Sequence, residues 1–188
     1  TIEAINVKCH DIRHQIRHFG DGGQGVDREI LKDIAHEVKI YDAGVRTGNA
    51  ALDTILTEKS LACQNLGITL SCMADGHALD FMPDAEIYSL FGNVLDNAME
   101  AAGHQGEGKR CVSLVVQRRG GMVSIHEENY FAGELSLSDG LPQTTKDDKA
   151  NHGFGMLSIR SLAEHHGGTL TVRAEGELFL LDVLLPLE

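Results

Sequence analysis

Positive charge is in short supply: 16 Lys and Arg face 28 Asp and Glu, a formal net charge of −12. A general nucleic-acid binder needs a basic surface to displace counterions, so the balance argues against that class. Phosphate chemistry stays open where a metal or backbone amides do the screening. Paired cysteines are missing too. Cys9, Cys63, Cys72 and Cys111 form neither a CxxC pair nor a zinc-like spacing, and buried, reduced thiols of a cytosolic compartment are expected. No apolar run reaches the roughly 18 residues of a membrane span, and no signal peptide is visible. An initial Met is lacking as well. The chain opens at Thr1 already in helical periodicity, so a piece of a longer protein is expected, with any membrane anchor in a segment absent from this chain. Apolar residues are not lacking: at 42% of 188 residues they suffice for a substantial core and argue against low-complexity disorder.

In TIEAINVKCHDIRHQIRHF, the residues Ile2, Ile5, Cys9, Ile12, Ile16 and Phe19 alternate spacings of three and four. That is the a/d seam of a bundle helix. GDGGQG (20–25) reads as a turn. A second helical pattern runs from Asp27 to Asn65 through Ile34, Val38, Tyr41, Val45, Leu52, Ile55 and Ala62, with Gly44 and Gly48 weakening its middle. Each of those glycines costs up to about 1 kcal/mol relative to Ala. Two such helices make a hairpin, half of a four-helix bundle, and a homodimer would bury its seam.

After Gly67 the pattern changes. Strands are expected at 68–72 and 78–82 around a turn at Asp75-Gly76, then a helix opened by Pro83-Asp84 with Asp84 as its cap. CVSLVVQRR (111–119) and MVSIHEE (122–128) read as a hairpin turning at Gly120-Gly121. Residues 130–152 form a polar loop long enough for a functional lid. A helix over 156–166 precedes two strands, 169–175 and 178–185. The class is therefore α+β, a helical hairpin (1–66) followed by an α/β module (67–188).

Three motifs carry chemistry. In LFGNVLDNAMEAA, Asn93 and Asn97 stand four apart on one helix face, beside Glu100. An Asn carbonyl is a hard oxygen ligand suited to Mg²⁺, although two amides also serve to cap neighbouring loops. In NHGFGMLSIR, Gly153 and Gly155 precede a helix, where glycine permits close backbone approach to an anion; the same glycines also suit a plain loop. Third, His10-Asp11 lies on the outward face of the first helix with His14, Arg17 and His18. An outward His beside a carboxylate suits nucleophilic work. A solvated face, or a stripe that takes up metal ions adventitiously, fits the same spacing.

In their order along the chain, HDIRHQ, NVLDNAMEAA, IHEEN, the lid, HGFGMLSI, GGTLTV and FLLDVLLP resemble a sensor histidine kinase of a two-component system. The resemblance covers nearly the whole chain. It implies a dimerisation and phosphoacceptor hairpin followed by an ATP-binding sandwich of the GHKL (Bergerat) type, shared with DNA gyrase, MutL and heat-shock chaperones. It further implies that His10 accepts the phosphoryl group with Asp11 assisting, and that Gln15 positions a water for regulator dephosphorylation. Asn97 would hold Mg²⁺, Asn93 would lie near the phosphates of ATP, and Gly153 and Gly155 would contact phosphate. The implied partners are a second copy of the chain and a response-regulator receiver domain, in the cytoplasm.

Some positions depart from the family pattern. Asn129 stands where an Asp usually reads the adenine amino group, Glu100 where many members carry Lys, Ala101 where an aromatic is common, and Glu177 where Thr is frequent. Either Lys146, Lys149 or Arg160 would then substitute as the phosphate cation, or that contact is absent. These departures keep one rival reading open, a degenerate kinase acting as a dimeric interaction module; a second rival is a non-kinase GHKL ATPase switch, against which the exposed His-Asp of HDIRHQ argues.

Overall fold

Alternation of apolar and polar residues along β2 (Cys111–Arg119) and β3 (Met122–Tyr130) builds the centre of the sheet. Val112, Leu114 and Val116 of β2, with Val123 and Ile125 of β3, are at most 1% exposed on one face. Polar Ser113, Ser124 and His126 take the other, as a period of two requires. The computed structural model describes residues 45–133, 135–142 and 154–187. Its five-stranded sheet runs β1 (Thr69–Ala74), β2, β3, β7 (Leu178–Pro186), β6 (Thr169–Glu175). β1 and β2 are parallel, and the remaining neighbours are antiparallel.

Three helices share one core with the apolar face: α1 (Ala50–Asn65), α2 (Asp84–Gly103) and α3 (Phe154–His165). Leu52, Leu56, Phe91, Leu95 and Ile159 are fully buried there. Burying each such side chain contributes about 1.5–3 kcal/mol. This helices-over-mixed-sheet arrangement fits the α+β class expected of the chain.

Three local expectations are corrected. The helical pattern from Asp27 to Asn65 does not continue through residues 45–49, which are non-helical. Gly48 has φ +96°, and the Asn49 side chain caps α1 by accepting from the Leu52 amide at 3.0 Å. A Cβ at Gly48 would also meet His77 Nε2 at 2.6 Å. Leu52 and Ile55, placed by their spacing in a bundle seam, are buried against α2 and the sheet instead, and the compact unit starts at Val45 rather than after residue 66. Second, the expected strand 78–82 is a 3₁₀ turn (Gly76–Leu79), because Ala78, Leu79 and Met82 all bury, a spacing no strand face offers. Third, Pro83 holds the cap position of α2 and Asp84 is its first helical residue, where its charge still complements the helix dipole. The lid stretch begins with a short hairpin, β4 (Leu137–Ser138) against β5 (Leu141–Pro142).

Candidate functional site

Along α2 the buried stripe is apolar (Ile87, Leu90, Val94, Ala98), and Asn93 and Asn97 sit half-buried at its margin, facing the start of α3. Gly155 closes the gap. A Cβ there would lie 3.1 Å from Asn93 Oδ1 and 3.5 Å from both amide atoms of Asn97. The amide nitrogens are turned to other work. Asn93 Nδ2 donates to the Ser89 carbonyl at 2.6 Å, and Asn97 Nδ2 points at Met156 Sδ at 3.3 Å.

Polar clamps hold the two helices together along their length. Ser89 and Ser158 hydroxyls lie 3.4 Å apart, and His166 Nε2 meets Glu86 Oε2 at 2.5 Å. On the other side of α2, Lys59 of α1 donates to Asp96 at 2.8 Å. The stripe is therefore fixed from both flanks.

Asn129 lies at the end of β3 on the core-facing side, 2% exposed, with Nδ2 donating to the Tyr130 carbonyl at 2.9 Å. Its neighbourhood is aromatic and apolar: Phe131 meets Phe179 edge-on, with centroids 6.3 Å apart. Glu177, one of the departures, pairs with Lys109 at 2.6 Å, and the Lys109 ammonium lies 5.8 Å from the centroid of the Tyr130 ring. A surface pair of this kind is worth about 0–1 kcal/mol.

Arg160, one of three cations considered as substitutes at the phosphates, is engaged elsewhere. Its Nη1 donates to Asp139 Oδ2 at 2.8 Å and its Nη2 to the Asp139 carbonyl, which ties α3 to the β4–β5 turn. Glu100 is exposed on α2. His10, Asp11, Gln15, Gly153, Lys146 and Lys149 lie outside the described residues. Among the described residues no cluster of His, Cys, Asp or Glu is arranged to hold a metal.

One residue the motif reading passed over is Glu127. It lies on β3 between Ile125 and Asn129, is 1% exposed, and its Oε1 has no hydrogen-bond partner among the described residues. Burial, and then the neighbouring Glu128 charge, push its carboxyl well above the ordinary carboxylate range. The signal was available: counting by twos from Val123 turns position 127 inward. A surface cavity of about 490 Å³ lined by Gly67, Thr69, Glu107, Gly108, Arg110 and Cys111 includes none of these site residues.

A family profile described as GHKL domain matches residues 82–186, more than half of the chain. The chain belongs to the GHKL family. Sensor histidine kinase DpiB of Escherichia coli (strain K12) is 29% identical over 127 residues, covering 63% of this chain and 23% of the relative. Sensor histidine kinase CitA of Klebsiella pneumoniae is 29% identical over 117 residues, covering 57% of this chain and 21% of the relative. The chain thus spans less than a quarter of either relative's length. Among solved structures, the nucleotide-free catalytic domain of histidine kinase ThkA superposes with a TM-score of 0.56 at 18% identity, over 75% of this chain and 93% of that one. The GHKL match takes in α2, Asn129 and Gly155, so the amide stripe, the strand end and the glycine belong to one domain. No described helix is long and apolar enough to cross a membrane.

Proposed function

We propose that the chain is the catalytic core of a dimeric sensor histidine kinase. On this reading it binds Mg²⁺–ATP, phosphorylates its own His10, and passes the phosphoryl group to an aspartate of a response-regulator receiver domain. The observation that carries the proposal is the seating of Gly155 against Asn93 and Asn97, where an added Cβ would stand 3.1 Å from Asn93 Oδ1 and 3.5 Å from the Asn97 amide. Hard, neutral carboxamide oxygens suit Mg²⁺, which keeps several waters and takes its other ligands from phosphate. Asn97 would hold the ion, with Asn93 beside the phosphates. The bound ion supplies charge screening that this acidic chain does not. Gly153 and Gly155 would let backbone amides approach the anion at the start of α3, and the Asn129 carbonyl would accept from the base's amino group.

Transfer is mostly positioning and charge stabilisation. A ring nitrogen of His10 attacks the γ-phosphorus in line. The N–P bond forms as the bond from that phosphorus to the β–γ bridging oxygen breaks, and ADP leaves. Asp11 takes the proton from the imidazole or fixes its tautomer. A carboxylate oxygen of the receiver then attacks the same phosphorus, and His10 departs. Gln15 would position the water that hydrolyses the regulator's acyl phosphate. The phosphoacceptor hairpin is assigned to residues ahead of Val45, where Arg13 and Arg17 make a locally basic docking face for an acidic receiver. A membrane anchor, on this reading, lies outside the chain, and the core works in the cytoplasm. Incubation with γ-labelled ATP tests the proposal: the wild-type chain takes up label and His10→Gln does not. Equal labelling of both removes His10 as the acceptor. No labelling of a wild type that still binds ATP favours the interaction module.

A further inference from the structure

The Oε1 atom of Glu127 is buried and has no hydrogen-bond partner among the described residues. Leu114 of β2 and Leu181 of β7 flank it in register, and the residues that α2 and α3 bury toward the sheet are all apolar. Among the described residues, the charged groups nearest on its own strand are His126 and Glu128, which point to the opposite face and bond each other at 2.7 Å. Asp182 of β7 and Arg173 of β6 share that opposite face. An unpartnered buried polar atom costs free energy that packing alone does not return. The next inward-facing position along β3 is Asn129, about 6.6 Å away at the usual strand rise, within the span of an extended glutamate.

We propose that Glu127 is a second base-reading residue. Beside the Asn129 carboxamide, its neutral carboxyl donates to the ring nitrogen adjacent to an exocyclic amino group, the N1 edge of a 6-aminopurine. This rests on the nucleotide-binding reading above and narrows it to the edge of the base that is read. A carboxyl held in its acid form offers a donor that neither an Asn carbonyl nor a carboxylate supplies. Burial and the Glu128 charge both favour that form. The purine ring nitrogen, in turn, satisfies the buried group.

The test uses the full chain with Mg²⁺ and two probes, ADP and 1-deaza-ADP, which lacks that ring nitrogen. Calorimetry on the wild type should show ADP preferred about tenfold or more, the usual consequence of leaving a buried partner unpaired. Glu127→Leu should bind both nucleotides alike, and Glu127→Gln, whose amide still donates, should keep the preference. Glu127→Leu retaining the wild-type ratio would overturn the proposal while leaving nucleotide binding intact. Failure of the wild type to bind either nucleotide overturns the nucleotide reading, and Glu127's part with it. Should the Leu variant not fold, carbon-13 titration of the Glu127 carboxyl in the wild type decides. ADP should raise its pKa and 1-deaza-ADP should not, and equal titration curves with the two nucleotides count against the proposal.

Discussion

One carbon added at position 155 would stand 3.1 Å from Asn93 Oδ1, a contact that Ala accommodates by a small shift and a β-branched residue does not. Gly155→Val should therefore force α3 away from the amide stripe, at the roughly 1–3 kcal/mol typical of overpacking. Nucleotide affinity should fall with it. Thermal melting and calorimetry on the same variant check this, and an unchanged affinity would mean that the approach of α3 does not shape the site. Asn97 and Gly155 were legible in the sequence because helical spacing and a glycine ahead of a helix are local signals. That they face each other was implied only through the family resemblance. Glu127 escaped because a carboxylate in a strand is ordinarily a solvent-facing residue. The pairing of Arg160 with Asp139 was not legible either: nothing local announces that a carboxylate across the lid hairpin meets its guanidinium.

At the scale of elements, α1 shows how a heptad-like spacing misleads. Leu52, Ile55 and Leu56 satisfy a bundle seam and a sheet-packing face equally well, since both need an apolar stripe at a period near 3.6. Only the tertiary core decides between them, and Leu52 and Leu56 are fully buried in it with α2. Leu52→Ala should accordingly destabilise the unit that carries the site by about 2–5 kcal/mol, measured by denaturant unfolding. A loss below 0.5 kcal/mol would show that α1 is not part of that core. The strand hairpin 111–130 was legible because alternation over nine residues per strand and a Gly-Gly turn leave one solution. The 3₁₀ turn at Gly76–Leu79 was not, because four residues of mixed burial carry too little period.

At the scale of the whole molecule, two carboxyl or imidazole groups among the described residues have shifted pKa values, and they act in the same direction on stability. Burial, and then the Glu128 charge, raise the Glu127 pKa well above its ordinary value. The folded state therefore keeps its proton longer than the unfolded chain, and stability falls as pH rises above the ordinary carboxylate value of 4.5. Burial works against the charged form of His126, but bonds to Glu128 and Asp182 outweigh it and raise its pKa. Its contribution is complete below the ordinary value of 6.5 and is lost as pH rises through the raised one. The melting temperature should decline from mildly acidic to alkaline pH. Glu127→Gln should flatten the lower part of that decline and His126→Gln the upper part. A curve unchanged by either substitution would remove both groups from the account. The α+β class was readable from the order of periods along the chain, whereas the start of the compact unit at Val45 was not. A helix boundary set by one cap and one left-handed glycine leaves the hydrophobic pattern on either side uninterrupted.

The central claim is that the amide stripe of α2 and Gly155 at the start of α3 together form a Mg²⁺-dependent nucleotide site. Calorimetry of the full chain with ATP, with and without Mg²⁺, for wild type and Asn97→Ala tests it most directly. The account predicts Mg²⁺-dependent binding by the wild type and its loss, by tenfold or more (about 1.4 kcal/mol), in a folded Asn97→Ala. Wild-type affinity in that variant, with the same Mg²⁺ dependence, would contradict it.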